Sequence, residues 1–191
     1  MIILENKHKL DDFLQNQRKK GLKIALIPTM GSIHEGHISL IKSANKLGFF
    51  SVVTIFVNPT QFNDLNDYKN YPRNRMQDTS LLMKSNANLL FFPLKQDLYS
   101  GEIKSEKTIF DYRNILCDKF RPGHFDGVTT VVKLLFNLVK PDHVFFGEKD
   151  YQQLKLIQKI IENNNLSICI HPCVSIRMQN GMSFSSRYSK F

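Results

Sequence analysis

The sequence predicts an α/β domain, a parallel sheet with helices on both faces. Three observations carry this. Segments of β-rich composition alternate with segments of helical apolar spacing, the pattern of βαβ units. The joints between them hold Gly21, Gly48, Pro93 and Pro141, residue types that stop helices and strands. The most apolar stretch, 49–57, is short, β-branched and interrupted by Ser51 and Thr54. It reads as a buried strand, since a membrane span needs roughly 18 apolar residues or more.

The elements follow in order. Residues 8–20 have helical character and Gly21 ends them. A strand covers 23–27 and stops at Pro28. A helix is expected from about 32 to 47, with Ile33, Leu40, Ile41, Ala44 and Leu47 at helical spacing and Gly48 closing it. The second strand, 49–57, precedes a helix at 74–86 and a strand at 88–92 that ends at Pro93. Residues 94–107 are polar and irregular and read as a surface excursion. An apolar helix at 127–139 is stopped by Lys140-Pro141. Then come a strand at 142–146, a helix at 149–163, a turn at Asn163-Asn164-Asn165 and a strand at 166–172. Ligands of such sheets bind beyond the carboxyl ends of the strands, so the residues just after each strand are the candidates.

Composition narrows the class. The chain has 191 residues, 42% hydrophobic and 23% charged, which suits one ordinary globular domain. The first residues have no basic region leading into an apolar one, so no secretory signal is expected. Three cysteines, an odd count, then point to reduced thiols and a cytoplasmic location. Cys169 and Cys173 flank His171, but a structural zinc needs four ligands and no second pair is visible. They are expected as buried small side chains. The net charge of +9 favours anionic partners. Its densest cluster, Arg18-Lys19-Lys20 with Lys23, closes the first helix, where cations complement the helix dipole. No aromatic-interleaved basic motif of the kind that stacks single-stranded bases is visible and no apolar run is long enough to span a bilayer, so neither nucleic acid nor a membrane is expected as a partner.

Four post-strand stretches carry chemistry. The first is 28–37, where Gly31 and Gly36 permit close backbone approach and the following helix offers its N-terminal amides to an anion. His34 and His37 stand three apart and face one place, able to donate to phosphate oxygens. The second, 56–62, holds Asn58 and Gln61, either a carboxylate clamp or an Asn-Pro turn; spacing leaves both open. The third, 145–153, ends a strand at Gly147 and opens a helix with Lys149 and Asp150, Gln153 lying one turn on. Lys149 can reach a phosphate there. The fourth, Ser183 to Arg187, places adjacent serines beside an arginine fork, a weaker phosphate signal.

In this order the stretches IPTMGSIHEGHISL (27–40), VTIFVNPTQF (53–62), DYKNYPR (67–73), RPGHFDGVTTVV (121–132), VFFGEKDYQQL (144–154) and SSR (185–187) resemble the pantothenate synthetase, or pantoate–β-alanine ligase, family. His34-Glu35-Gly36-His37 alone indicates the wider nucleotidyltransferase superfamily. The resemblance implies a Rossmann-like, nucleotidyltransferase-type fold and an enzyme of pantothenate biosynthesis. Pantoate would attack the α-phosphorus of Mg2+-bound ATP, giving pantoyl adenylate and pyrophosphate, and β-alanine would then displace AMP. It implies that His34, His37 and Lys149 stabilise the phosphates, and that Ser185, Ser186 and Arg187 hold the β- and γ-phosphates. Met30, Gly36, Gly147, Asp150, Ile176 and Phe184 would line the ATP site. Pantoate would lie between Gln61 and Gln153, with Asn58, Met30 and Val132 around it, and Asp78 would stand near the magnesium. It further implies a homodimer.

Departures from the family pattern are Phe184, where a methionine is usual, and Ser100, where a proline is usual. Family members continue past Ser-Ser-Arg into a small C-terminal lid domain. Residues 1–191 are therefore read as the N-terminal catalytic domain without that lid, with weak ATP binding and little turnover expected. Three readings stand beside the ligase: transfer of a nucleotidyl group onto a phosphate acceptor, a basic nucleic-acid binder, and an inactive isolated domain. Neutral Gln61 and Gln153 suit a small hydroxy acid better than a phosphate acceptor, and scattered charge without a recognition element argues against nucleic acid.

Overall fold

A computed structural model describes residues 1–99, 101–105, 107, 111 and 113–187. The departure at Ser100 lies outside the described residues. The elements are β1 (Ile2–Leu4), α1 (Lys7–Lys19), β2 (Ile24–Thr29), α2 (Glu35–Lys46), β3 (Phe50–Ile55), α3 (Leu65–Lys69), α4 (Arg75–Lys84), β4 (Leu89–Phe91), α5 (Lys95–Leu98), α6 (Leu116–Phe120), α7 (His124–Val139), β5 (His143–Gly147), α8 (Tyr151–Asn163) and β6 (Cys169–Cys173). The six strands form one sheet in the order β1-β4-β3-β2-β5-β6, every pairing parallel. This is the expected Rossmann-like α/β architecture.

Alternation along the strands sends side chains to two cores. Ile24 and Leu26 of β2, Val52 of β3 and Val144 and Phe146 of β5 join Leu10, Leu14, Phe125, Leu135 and Ile157 from α1, α7 and α8. On the other face Ala25 and Ile27, Val53 and Phe145 meet Ile38, Ile41 and Ala44 of α2 and Leu82 of α4. Strands buried on both sides lack a polar alternate face, which is why they read as continuous apolar runs.

Several boundaries move for physical reasons. β2 runs through Pro28 to Thr29. Pro28 is tolerated because β5 pairs only with Ala25 and Leu26, so the strand has lost that neighbour before the proline is reached. α2 starts at Glu35 rather than 32, because Gly31 and Ser32 sit at φ 82 and 51, outside the helical region. α7 begins at His124, entered from Gly123 at φ 78, three residues before the expected start. β1 was not expected: three residues show no period of their own and become a strand by pairing with β4. The excursion at 94–107 contains the short helix α5.

Two readings of local chemistry change. The cysteines are not buried: Cys117 and Cys169 are exposed and Cys173 is half-buried, all three free. Within the basic cluster, Arg18 does more than sit in solvent. It donates to the carbonyls of Val139 and Lys140, both at 2.7 Å, and so caps the carboxyl end of α7. Among the described residues no helix is long and apolar enough to cross a membrane.

Candidate active site

The strand order creates a switch point. From β2 the chain steps one way through β3 to β4, then returns on the other side of β2 with β5 and β6. β3 follows β2 out to Thr29, whereas β5 leaves it after Leu26. β2 and β5 therefore part toward their carboxyl ends, and a cleft of about 290 Å³ opens between them.

The turn after β2 builds its first wall. Asp78 of α4 is buried and accepts from the amides of Ser32 (2.9 Å) and Ile33 (2.7 Å), which holds the turn in shape. A Cβ at Gly31 would meet the Asp78 carboxylate at 2.9 Å, so the residue must be glycine for space as well as for its positive φ. The turn delivers His34 as the N-cap of α2, its Nδ1 accepting from Gly36 N–H at 3.1 Å. His37 Nδ1 accepts from His34 N–H at 3.4 Å. With each Nδ1 an acceptor, the proton of each neutral ring sits on Nε2, leaving two N–H donors for the cleft. The rings stack at 4.0 Å between centroids. Burial and the Lys149 charge hold His34 below its ordinary pKa. Burial, the His34 ring and Lys149 push His37 down to about 3. Both rings are thus neutral donors at pH 7.

The loop after β3 builds the second wall. Asn58 is almost fully buried, and its Oδ1 accepts from Thr60 Oγ1 (3.1 Å) and Tyr99 O–H (2.7 Å). Its Nδ2 donates to Gly127 O of α7 (3.0 Å) and to Gln61 Oε1 (3.3 Å). Of the two sequence readings, Asn58 fits the turn; it also orients the Gln61 amide, and it does not itself line the cleft. Gln61 Nε2 donates to Met30 Sδ at 2.9 Å. The Gln61 carbonyl accepts from His124 Nδ1 at 2.6 Å, while Arg121 donates to His124 Nε2 at 3.0 Å. Since arginine only donates, the His124 proton is on Nδ1. Burial, with Arg121 adding to it, pushes His124 down to about 4 against the opposing pull of the Gln61 carbonyl.

Beyond β5, Gly147 leads into the 3-10 turn Glu148–Asp150 and then α8, presenting Lys149, Asp150 and Gln153 to the cleft. Lys149 Nζ rests on Asp150 Oδ1 at 3.1 Å. The segment after β6 closes the rim. Ser186 Oγ donates to Ser32 O at 3.1 Å, and Arg187 pairs with Asp67 at 2.8 Å. Phe184 lies 6.1 Å from the His34 ring.

The cleft thus gathers Met30, His34, Gly36, His37, Gln61, Val132, Gly147, Lys149, Asp150, Gln153, Ile176, Phe184, Ser185, Ser186 and Arg187 from the sequence candidates. Asn58 and Asp78 stand behind it. Each Asp78 oxygen accepts one turn amide, so the carboxylate first of all holds the turn after β2 in shape. Tyr71, Arg121 and His124 also line the cleft, and sequence reasoning gave them no role. Their signal was faint: a glycine able to turn at position 123, flanked by a cation and an imidazole. Arg121, Lys149 and Arg187 make the rim cationic, while Val128, Val131, Val132 and Leu135 make one wall apolar. Such a site suits an anion with an aliphatic part.

The family model for pantoate-β-alanine ligase matches residues 2–191. The chain belongs to that family. A pantothenate synthetase of Caldicellulosiruptor saccharolyticus is 39% identical over 187 residues, covering 98% of this chain and 66% of its own length. That of Aquifex aeolicus is 42% identical, covering 93% of this chain and 63% of its own. The chain therefore spans about two thirds of the length of these ligase-family relatives. The crystal structure of a pantoate-β-alanine ligase from Francisella tularensis, complexed with β-γ ATP and β-alanine, superposes with a TM-score of 0.94. It is 40% identical and covers all of this chain and 73% of its own. The pantothenate synthetase of Thermus thermophilus gives a TM-score of 0.89 at 32% identity, covering all of this chain and 68% of its own.

Proposed function

We propose that the chain is the catalytic domain of a cytoplasmic enzyme that condenses pantoate with β-alanine at the expense of ATP. The observation that carries this is the pair of neutral, stacked imidazoles at the start of α2, directing Nε2–H donors into a cleft shared with Lys149. ATP would lie along β2 and β5, with Met30, Gly36, Gly147, Asp150, Ile176 and Phe184 around the nucleoside. Ser185, Ser186 and Arg187 would take the β- and γ-phosphates. Pantoate would lie between Gln61 and Gln153, its methyl groups on Met30 and Val132.

In the first step the ionised pantoate carboxylate attacks the α-phosphorus and pyrophosphate leaves, so no base is needed. The developing charge on the phosphate oxygens is met by His34 and His37, donors already fixed in place and carrying no charge of their own. Lys149 supplies the positive charge once it turns from Asp150 to the phosphate. In the second step the amine of β-alanine attacks the acyl carbon, loses a proton, and the bond to AMP breaks. Positioning does most of this work. Magnesium enters as part of the ATP complex, as it does where phosphates supply most of its ligands. Among the described residues the cleft holds no cluster of carboxylates for it, and no step is assigned to a resident ion.

Three free cysteines fit a reducing compartment. Exposed Leu116 and Phe120 on α6 offer apolar surface that a homodimer would cover. The decisive assay is AMP formation from Mg–ATP, with pantoate and β-alanine each omitted in turn. Dependence on both supports the reading. Pyrophosphate released with a phosphorylated acceptor, and without β-alanine, refutes it.

A further inference from the structure

At the opposite end of the sheet from the cleft, β5 and β6 begin side by side. Their register pairs His143 with Cys169 and Phe145 with His171. Strand alternation then puts His143, Cys169 and His171 on one face, two on the edge strand and one on its neighbour. His143 Nδ1 and His171 Nε2 lie 3.0 Å apart, and one ligating atom from each of the three residues falls within 4.8 Å of the others. Both rings are clamped flat. Phe49 stacks on His143 at 3.8 Å and 11°, and Phe145 stacks on His171 at 4.5 Å and 7°.

This is ligand geometry in the making. Zinc bonds nitrogen at about 2.0–2.1 Å and sulfur at about 2.3 Å, so a tetrahedral site spaces two nitrogens by about 3.4 Å and a nitrogen from a sulfur by about 3.6 Å. The imidazole pair is close to that spacing already. Cys169 is exposed and so has room to swing inward by the remaining ångström or so. Two imidazoles and a thiol, with no carboxylate among them, select a borderline-soft transition ion over magnesium or calcium.

We propose that His143, Cys169 and His171 form a binding site for a divalent transition metal of the zinc class, separate from the cleft, with a fourth position open to water. The ion would clasp edge strand β6 to β5. From β6 the chain runs directly into the segment that brings Ile176, Ser185 and Ser186 to the cleft, so the clasp steadies the base of that segment.

Cobalt(II) and zinc(II) titrations of the tag-free chain test this. The expected result is one equivalent of cobalt giving a thiolate-to-metal charge-transfer band and tetrahedral d–d bands, displaced by one equivalent of zinc. Cys169→Ser abolishes the charge-transfer band, and His143→Ala and His171→Ala each weaken zinc binding more than tenfold. Cys117→Ser and Cys173→Ser leave the band intact. Cys169 is exposed, so its variant is expected to fold, and an unchanged metal-free urea midpoint verifies that. Absence of the band in the unaltered chain overturns the proposal, as does its survival in Cys169→Ser or its loss in Cys173→Ser.

Discussion

Gly127 lies in the first turns of α7 with a backbone that any residue could adopt, so helix propensity alone favours alanine there by about 0.8–1.0 kcal/mol. The structure reverses that sign. A Cβ on Gly127 would lie 2.4 Å from Thr60 O, 2.5 Å from Thr60 C and 2.6 Å from Gln61 N. All three are about an ångström inside normal contact, and all are backbone, with no side chain to swing away. α7 and the turn at Pro59–Gln61 must separate, which strains the Asn58 bond to Gly127 O and the His124 bond to Gln61 O. Overpacking of this kind costs about 1–3 kcal/mol, and that exceeds the propensity gain. Gly127→Ala should lower stability in urea titration and, by moving Gln61, raise the KM for pantoate more than that for ATP. A variant as stable as the parent, with an unchanged pantoate KM, would refute the reasoning.

Three further outcomes are expected. His37→Ala should lower kcat by about 10²–10³, the cost of a preorganised donor; because His37 acts neutral, His37→Asn should restore part of the rate, and equal losses in both variants would contradict that. His37 and His124, held at about 3 and about 4 against an ordinary 6.5, bind fewer protons folded than unfolded as pH falls below 6.5. Stability should therefore drop between pH 6.5 and 4, by up to about 1.4 kcal/mol per pH unit for each imidazole, and His124→Gln should flatten the slope; an identical slope in the variant would be inconsistent with it. Asp78→Asn turns an amide N–H toward a backbone N–H and should cost about 1–3 kcal/mol in urea titration without magnesium or nucleotide. Unchanged stability combined with lost magnesium dependence would contradict the turn-holding role and favour a place for Asp78 near the metal.

The α/β class and the loops bearing Met30 to His37, Gln61 and Lys149 to Gln153 were legible in the chain, because apolar periodicity and turn-forming residues act over a few positions. Everything that depended on a distant partner was not. β1 is a strand by virtue of β4, and the cleft exists because β5 leaves β2 after Leu26. The hold of Asp78 on the amides of Ser32 and Ile33 spans 46 and 45 positions. His124 meets Gln61 across 63 positions, and His143 meets His171 across 28. Local propensity carries no record of such pairings; sheet order, register and hydrogen-bond competition settle them only once the chain is packed.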